Sequence, residues 1–370
     1  MMLLGLVVHS AITYGVYEDL DVWTLRDSMT HLSNDFIISF IHAFRMPIFF
    51  LVAGFFGSML FYERKPVEMI KNRISRIIIP FIVFMILLWP TIVFAFGYSM
   101  LVFSGVTNPL EETICLFSGI DMLIPRLTFH LWFLYYLGLI TFVLVSLALL
   151  VKKTPIISRY TSKVFNWILE RSFLRIIIFA SITSVVYIIM GTWSVFTSTS
   201  FVPDFNTFFY YFMFYIIGWV LYKSKHLLDS FMKHDFLFTL LAIILFSVYF
   251  FMNDSFDYLT HIILKSMTVW LFVFGITGLF VRYTSYHSPI MRYLSDSSYW
   301  VYLVHLSFTA IIPGFISGWS IPATLKFLFV LLTTSFLCFV SYHYLVRGTF
   351  IGKFLNGRKY SIKFSEIRKK

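Results

Sequence analysis

Long apolar runs separated by short polar ones repeat along the whole chain. Their length, near 20 residues, is what a helix needs to cross a hydrocarbon core of about 30 Å. The pattern predicts ten helices, over 1–17, 36–62, 74–97, 130–151, 173–195, 205–222, 235–252, 258–281, 297–316 and 320–346. The first run is short at its start. No basic stretch precedes it and no small-residue cleavage site follows, so a first helix cut short is expected rather than a signal peptide.

The basic residues set the expected orientation. Arg64, Lys65, Lys71, Arg73 and Arg76 follow the second run; Lys152, Lys153, Arg159, Lys163, Arg171 and Arg175 surround the fourth loop. Lys223, Lys225, Lys233, Arg282 and Arg292 occupy the next two even-numbered loops, and Arg347, Lys353, Arg358, Lys359, Lys363, Arg368, Lys369 and Lys370 the tail. These are 24 of the 29 basic residues, and all fall on one side of the predicted bundle. The opposite loops hold Arg26 and Arg126, with Glu18, Asp19, Asp21, Asp27 and Asp35 between the first two helices. Arg45, Lys265 and Lys326 lie inside helices. The positive-inside bias makes the tail, the even-numbered loops and, after ten crossings, the N-terminus cytoplasmic. The expected fold is an all-α polytopic membrane bundle, with a transmembrane domain over 1–346 and a basic cytoplasmic tail over 347–370. Loop 98–129, semi-apolar and rich in Gly, Pro, Leu and Phe, could re-enter or form a lid.

Composition agrees: 59% of the 370 residues are hydrophobic and 13% charged, too little polar surface for a soluble protein of this size. The net charge of +11 suggests nucleic acid until its placement is considered, since no soluble domain carries it. Cys115 and Cys338 lack metal-ligand spacing, Cys338 is expected inside a helix, and no disulfide is expected. No P-loop, dinucleotide fingerprint or internal repeat occurs, which argues against an ATP-driven pump.

Ionisable groups at mid-membrane depth are costly and default to functional candidates. From the outer ends of their helices, His9 lies roughly 12 Å and Arg45 roughly 14 Å deep at the helical rise. His42 shares a face with Arg45, and Lys265 lies at similar depth with His261 one turn before it. The chemistry suggested is acyl transfer. A neutral histidine can take the proton of a sugar or alcohol hydroxyl as it attacks a thioester, then return it to the leaving thiol. Arginine and lysine can hold donor phosphates or a developing oxyanion. Ser10 beside His9 points about 100° away, so a Ser–His nucleophilic pair is not expected. Pro47 should kink the second helix near Arg45, and Gly54 should permit close helix contact.

Several strings carry a resemblance: His9-Ser10 in the first helix, FRMPIFFLVAGFF at 44–56, RISRIIIP at 73–80, HLWFLYYL at 130–137 and SSYWVYLVHL at 297–306. In order and spacing the chain resembles the membrane-bound acyltransferase-3 family over essentially its whole length, and most its periplasmic-glucan succinyltransferase branch. The resemblance implies acyl-CoA as donor substrate with no permanently bound cofactor, an extracytoplasmic carbohydrate acceptor, and a bacterial inner-membrane location. It also implies an essential His9 acting as base or proton shuttle, a functional Arg45, and a role for Arg73 or Arg76 at the cytoplasmic mouth. Acetyl is common in the family and succinyl in the branch. The arginine usual about eleven residues before the helix 1 histidine has no counterpart, which suggests a start lying upstream.

Secondary candidates have structural alternatives. Arg73 and Arg76 could meet CoA phosphates or anchor the membrane face; Lys265 could serve the donor. His305, with Tyr302 on its face, is expected eight residues in from the cytoplasmic end of its helix, apart in depth from the outer cluster, where it could border a donor tunnel. His130 and Trp132 could stack on a sugar or belong to an aromatic belt. Asp204 and Asn206 could bind acceptor hydroxyls or cap a helix, and His343 lies near the cytoplasmic surface. Secondary transport of an anion or proton-coupled solute is the competing class, and a scaffold without chemistry a third.

Overall fold

The computed structural model describes residues 1–17, 23–117, 119–151, 155–195, 197–286 and 288–362. The chain is all-α, with no strand among the described residues. Among the described residues, eight stretches are long and apolar enough to cross a membrane: Leu32–Glu63, Pro66–Phe103, Phe129–Leu150, Ser172–Met190, Phe205–Lys223, Lys225–Ser255, Tyr258–Thr284 and Ala323–Val346. The helices α1 (Met2–Ala11, extended as 3-10 turn to Tyr14) and α12 (Pro289–Phe315) lie outside that set.

Several helices begin where capping, rather than hydropathy, starts them. The second, α2 (Leu32–Glu63), opens at His31, whose Nδ1 accepts from Ser33 N–H at 3.2 Å, and runs through Pro47 without breaking. The third was expected to start at 74. Instead Pro66 opens α3 (Pro66–Arg73), a π turn follows over 74–78, and α4 (Ile79–Phe103) continues to Phe103. A polar helix turn carries no hydropathy signal, but proline at its first position is pre-set for the helix. For the same reason α12 starts at Pro289, not 297, with Ser288 Oγ accepting from Met291 N–H at 3.4 Å.

Two expected loops contain helices, α5 (Pro109–Leu116) and α7 (Pro155–Leu169). Between and after them run α6 (Trp132–Val151), α8 (Ser172–Met190), α9 (Phe205–Lys223), α10 (Asp235–Met252) and α11 (Tyr258–Thr284). After α12 come α13 (Ala323–Ser341), a π turn over 342–346, and α14 (Phe350–Asn356). The predicted tail is therefore partly folded. Leu355 is buried, and Gly352 sits against the Val346 carbonyl so closely that a side chain would collide.

One main core joins α2, α6, α8, α9, α11 and α12. Its tightest seam lies between α2 and α9: a Cβ on Gly54 would strike the Tyr215 carbonyl, and one on Gly218 the Leu51 carbonyl. Small residues let these two backbones touch, as expected where lipid gives no hydrophobic drive between helices. A second core surrounds α1 with Ile38 and Ile41, Ile312 and Ile316, and Phe327 and Val330. Cys338 is buried in α13, and Cys115 is exposed on α5.

Candidate active site

The site is built around α1, which packs among α2, α12 and α13. Gly5 and His9 are one turn apart and share a face of that helix. A Cβ on Gly5 would stand 3.2 Å from Arg45 Nη1 and 3.8 Å from His305 Nε2. The missing side chain leaves a notch where Arg45, from α2, and His305, from α12, bring their tips together. The His9 ring lies 5.2 Å from the His305 ring, centroid to centroid. His130, just ahead of α6, lies 5.2 Å from His305 on another side, nearly perpendicular to it.

The hydrogen bonds of two of these rings fix their neutral tautomers. His305 Nδ1 is 2.7 Å from the Tyr302 carbonyl and 3.0 Å from that of Val301. A carbonyl oxygen only accepts, so Nδ1 carries the proton and Nε2 the lone pair. His130 is reversed: Nε2 donates to the Leu303 carbonyl at 2.9 Å, leaving the lone pair on Nδ1. Those two lone-pair atoms, together with His9 Nδ1 and Arg45 Nη1, are buried with no hydrogen-bond partner among the described residues. Arg45 is 9% exposed, His130 5% and His305 1%. Buried polar atoms are nearly always paired, and an unpaired one is expensive. Four such atoms, on neighbouring residues from four segments, make this cluster the candidate site for a polar ligand.

The surroundings hold the cluster in place. Tyr302 O–H donates to the His130 carbonyl at 2.7 Å. The phenols of Tyr211 and Tyr302 lie within electrostatic reach of Arg45. Phe129, immediately before His130, has φ 44°, a left-handed backbone uncommon for a bulky residue. Strain of that kind persists where the surroundings over-determine it and clusters at functional sites. His42 is exposed and lies within electrostatic reach of Arg45 and His9.

One neighbour was not anticipated. Trp23 stacks on His9 with ring centroids 5.5 Å apart and 25° between planes, and its Nε1 donates to Thr13 Oγ1 at 3.0 Å. The segment bearing it is strapped down: Asp27 N–H donates to the Thr13 carbonyl, His31 N–H to that of Tyr14, and Lys326 to the Asp27 carboxylate. A loop tryptophan has no periodicity to reveal it; the aromatic residue closely following helix 1 was the only available hint.

The other candidates separate. His305 was expected at a different depth from His9, and the ring contact overturns that. Because α12 begins at Pro289 rather than 297, His305 is about 24 Å along the helix at the helical rise, sixteen residues in rather than eight. His130 and Trp132 are both buried, Trp132 packing on Phe133, Tyr136 and Tyr211, so neither presents an open face for stacking. Lys265 sits 5.5 Å over the Tyr249 ring, whose hydroxyl meets His261 Nδ1 at 3.0 Å, in a group apart from the histidine cluster. Arg73 and Arg76 diverge: Arg73 donates to the Ala53 carbonyl at 3.2 Å in the α2–α9 region, and Arg76 to the Phe354 carbonyl at 2.9 Å, at the end of α14. Asp204 caps α9 by accepting from Thr207 N–H at 2.7 Å. Ser10 Oγ donates to the Leu6 carbonyl at 2.8 Å, which leaves it no pairing with His9.

Comparison with known proteins agrees with this arrangement of apolar helices. The acyltransferase-3 family model, described as an acyltransferase domain, matches residues 1–343. Glucans biosynthesis protein C of Escherichia coli (strain K12) is 25% identical over 325 residues, 86% of this chain and 81% of that protein. The proteins of the same name from Escherichia coli O157:H7, over 331 residues, and Shigella dysenteriae serotype 1, over 325, are likewise 25% identical. No solved structure matches significantly. The chain belongs to the acyltransferase-3 family of membrane proteins.

Proposed function

We propose that this protein moves an acyl group, acetyl or succinyl, from cytoplasmic acyl-CoA to a hydroxyl of an extracytoplasmic glycan at the bacterial inner membrane. The reading takes α1 and α12 as crossings beside the eight long apolar stretches, ten in all, with both termini on the basic, cytoplasmic side. What supports it most is that Arg45 Nη1 and His305 Nε2 meet at the Gly5 notch, with the His9 ring beside that of His305 and a buried polar atom on each of the three without a partner among the described residues.

In this mechanism His9 accepts the acceptor's hydroxyl proton as the oxygen attacks the thioester carbonyl. Arg45 offers its free N–H to the oxygen that gains charge. The new C–O bond forms, the C–S bond breaks, and the proton passes from His9 to the departing thiolate. His305 serves as a second imidazole beside His9, its lone pair on Nε2, able to hold the proton between the two steps. Trp23 keeps one face of His9 from water. A membrane-embedded donor and acceptor must both reach this depth, which fits a site assembled from several helices rather than a surface loop.

The test is transfer of labelled acyl groups from acyl-CoA to candidate glycans in proteoliposomes. His9→Ala should abolish transfer while the protein remains folded and inserted, and His9→Asn should fail too, because an amide cannot take the proton. Wild-type transfer by either variant rules out the acid–base role, and labelled solute uptake without acylation moves the reading to transport.

A further inference from the structure

On the face that carries most of the basic residues, the chain beyond α13 folds back on itself. Tyr360 N–H donates to the Arg347 carbonyl at 3.0 Å, and Arg347 Nε donates to the Ser361 carbonyl at 2.8 Å. Three guanidinium groups then surround one ring. The carbons of Arg347 and Arg358 each lie 5.4 Å from the Tyr360 centroid, and that of Arg292, from the first turn of α12, lies 5.6 Å away. Arg347 also covers Tyr293 at 4.8 Å. Among the described residues, the Asp296 carboxylate lies 3.9 Å from Arg292 Nε.

Positive-inside anchoring accounts for basic residues on this face but not for their convergence. Anchoring side chains gain nothing by approaching one another, and like charges repel. Here hydrogen bonds tie Arg347 to the segment bearing Tyr360, Arg292 Nη2 reaches the Tyr360 hydroxyl at 3.5 Å, and Arg358 lies against the same ring. Arg347 is 8% exposed, and its Nη1 is buried without a hydrogen-bond partner among the described residues. A buried guanidinium N–H with no acceptor, in an excess of positive charge, calls for an anion. The planar fork of arginine is suited to phosphate oxygens, and the tyrosine supplies a hydroxyl and an aromatic edge.

We propose that the corner formed by Arg292, Arg347, Arg358 and Tyr360 binds a phosphate group, presented either by a soluble nucleotide or by a phospholipid headgroup. The inference goes beyond the acyl-transfer reading and does not depend on it, because binding is read without turnover. Arg76 is not part of this site: it is engaged at the end of α14.

The experiment uses the full chain in phosphatidylcholine nanodiscs. Equilibrium dialysis measures radiolabelled adenosine 3′,5′-bisphosphate; a second arm adds phosphatidylglycerol and measures its retention around the protein. The variants are Arg358→Gln, which is exposed and should leave folding intact, and the triple Arg292→Gln, Arg347→Gln, Arg358→Gln. The triple variant should weaken binding of one probe about tenfold or more, with the single variant intermediate, and wild-type binding should fall as salt rises. Loss of the nucleotide assigns the site to a soluble phosphate; loss of phosphatidylglycerol retention assigns it to lipid. Should the triple variant not fold, Arg358→Gln decides alone. Wild-type binding of both probes by Arg358→Gln and by a folded triple variant, or failure of the wild type to bind either, overturns the proposal.

Discussion

Two buried cations sit on neighbouring helices around α1 and are treated in opposite ways. Lys326 of α13 and Asp27 are each 1% exposed at their side chains, with Nζ at 2.8 and 3.0 Å from the two carboxylate oxygens and 3.2 Å from the Ser317 carbonyl. An ammonium has three donors, and all three have acceptors there. Arg45 of α2 is nearly as buried, but keeps Nη1 unpartnered beside three histidines that also hold free nitrogens. Burial of charge alone therefore does not mark the proposed reactive place. The paired cation fastens the strap that carries Trp23; the unpaired one faces a notch.

Breaking the paired region should give the largest change in stability. Asp27→Asn leaves the Lys326 ammonium buried without its counter-charge, and loss of one partner of a buried pair costs about 3–5 kcal/mol. Thermal unfolding followed by loss of soluble monomer in detergent should show a clear drop in midpoint. An unchanged midpoint would mean that the pair is not a fastening.

The unpaired region should respond in rate instead. Arg45→Lys retains charge but loses the planar fork, and loss of an oxyanion-type donor typically costs about 10²–10³ in turnover. Labelled-acyl transfer should fall by that order while the unfolding midpoint stays near that of the wild type. A fall in stability with normal turnover per folded molecule would place Arg45 with Lys326 as a structural cation.

The smallest effect belongs to Asp204, which the comparison places wholly on the paired side because its carboxylate caps α9. Asp204→Ala should lower stability by about 1 kcal/mol, as expected for a lost N-cap. Transfer should be unaltered; a marked rise in KM for the glycan would instead return Asp204 to acceptor binding.

Legibility followed the physics of each signal. His9 and Arg45 could be singled out because an ionisable residue inside an apolar run is conspicuous without any tertiary information. The pairing of Lys326 with Asp27 could not, since 299 residues separate them and a loop carboxylate looks like ordinary outer-face polarity. His305 was visible as a residue but misplaced, because hydropathy locates the apolar part of a helix and not its capped, polar first turns. The ring contact places it beside His9 rather than apart from the outer cluster. His130 and Trp132, at a helix start, read as sugar-stacking or interface-belt residues; both are packed inside, His130 against the His305 ring. The Gly5 notch had no sequence signal at all, since a glycine in a transmembrane helix more often serves close helix packing, as Gly54 and Gly218 do.

The central claim is that unpartnered polar atoms mark the reactive site and partnered ones the fastening. It is tested most directly by measuring acyl transfer per folded molecule for His9→Ala and Asp27→Asn side by side, in the same proteoliposomes with the same labelled acyl-CoA and glycan. Transfer should vanish in folded His9→Ala and persist in the fraction of Asp27→Asn that remains folded. Sustained transfer by His9→Ala, or complete loss in well-folded Asp27→Asn, would contradict it.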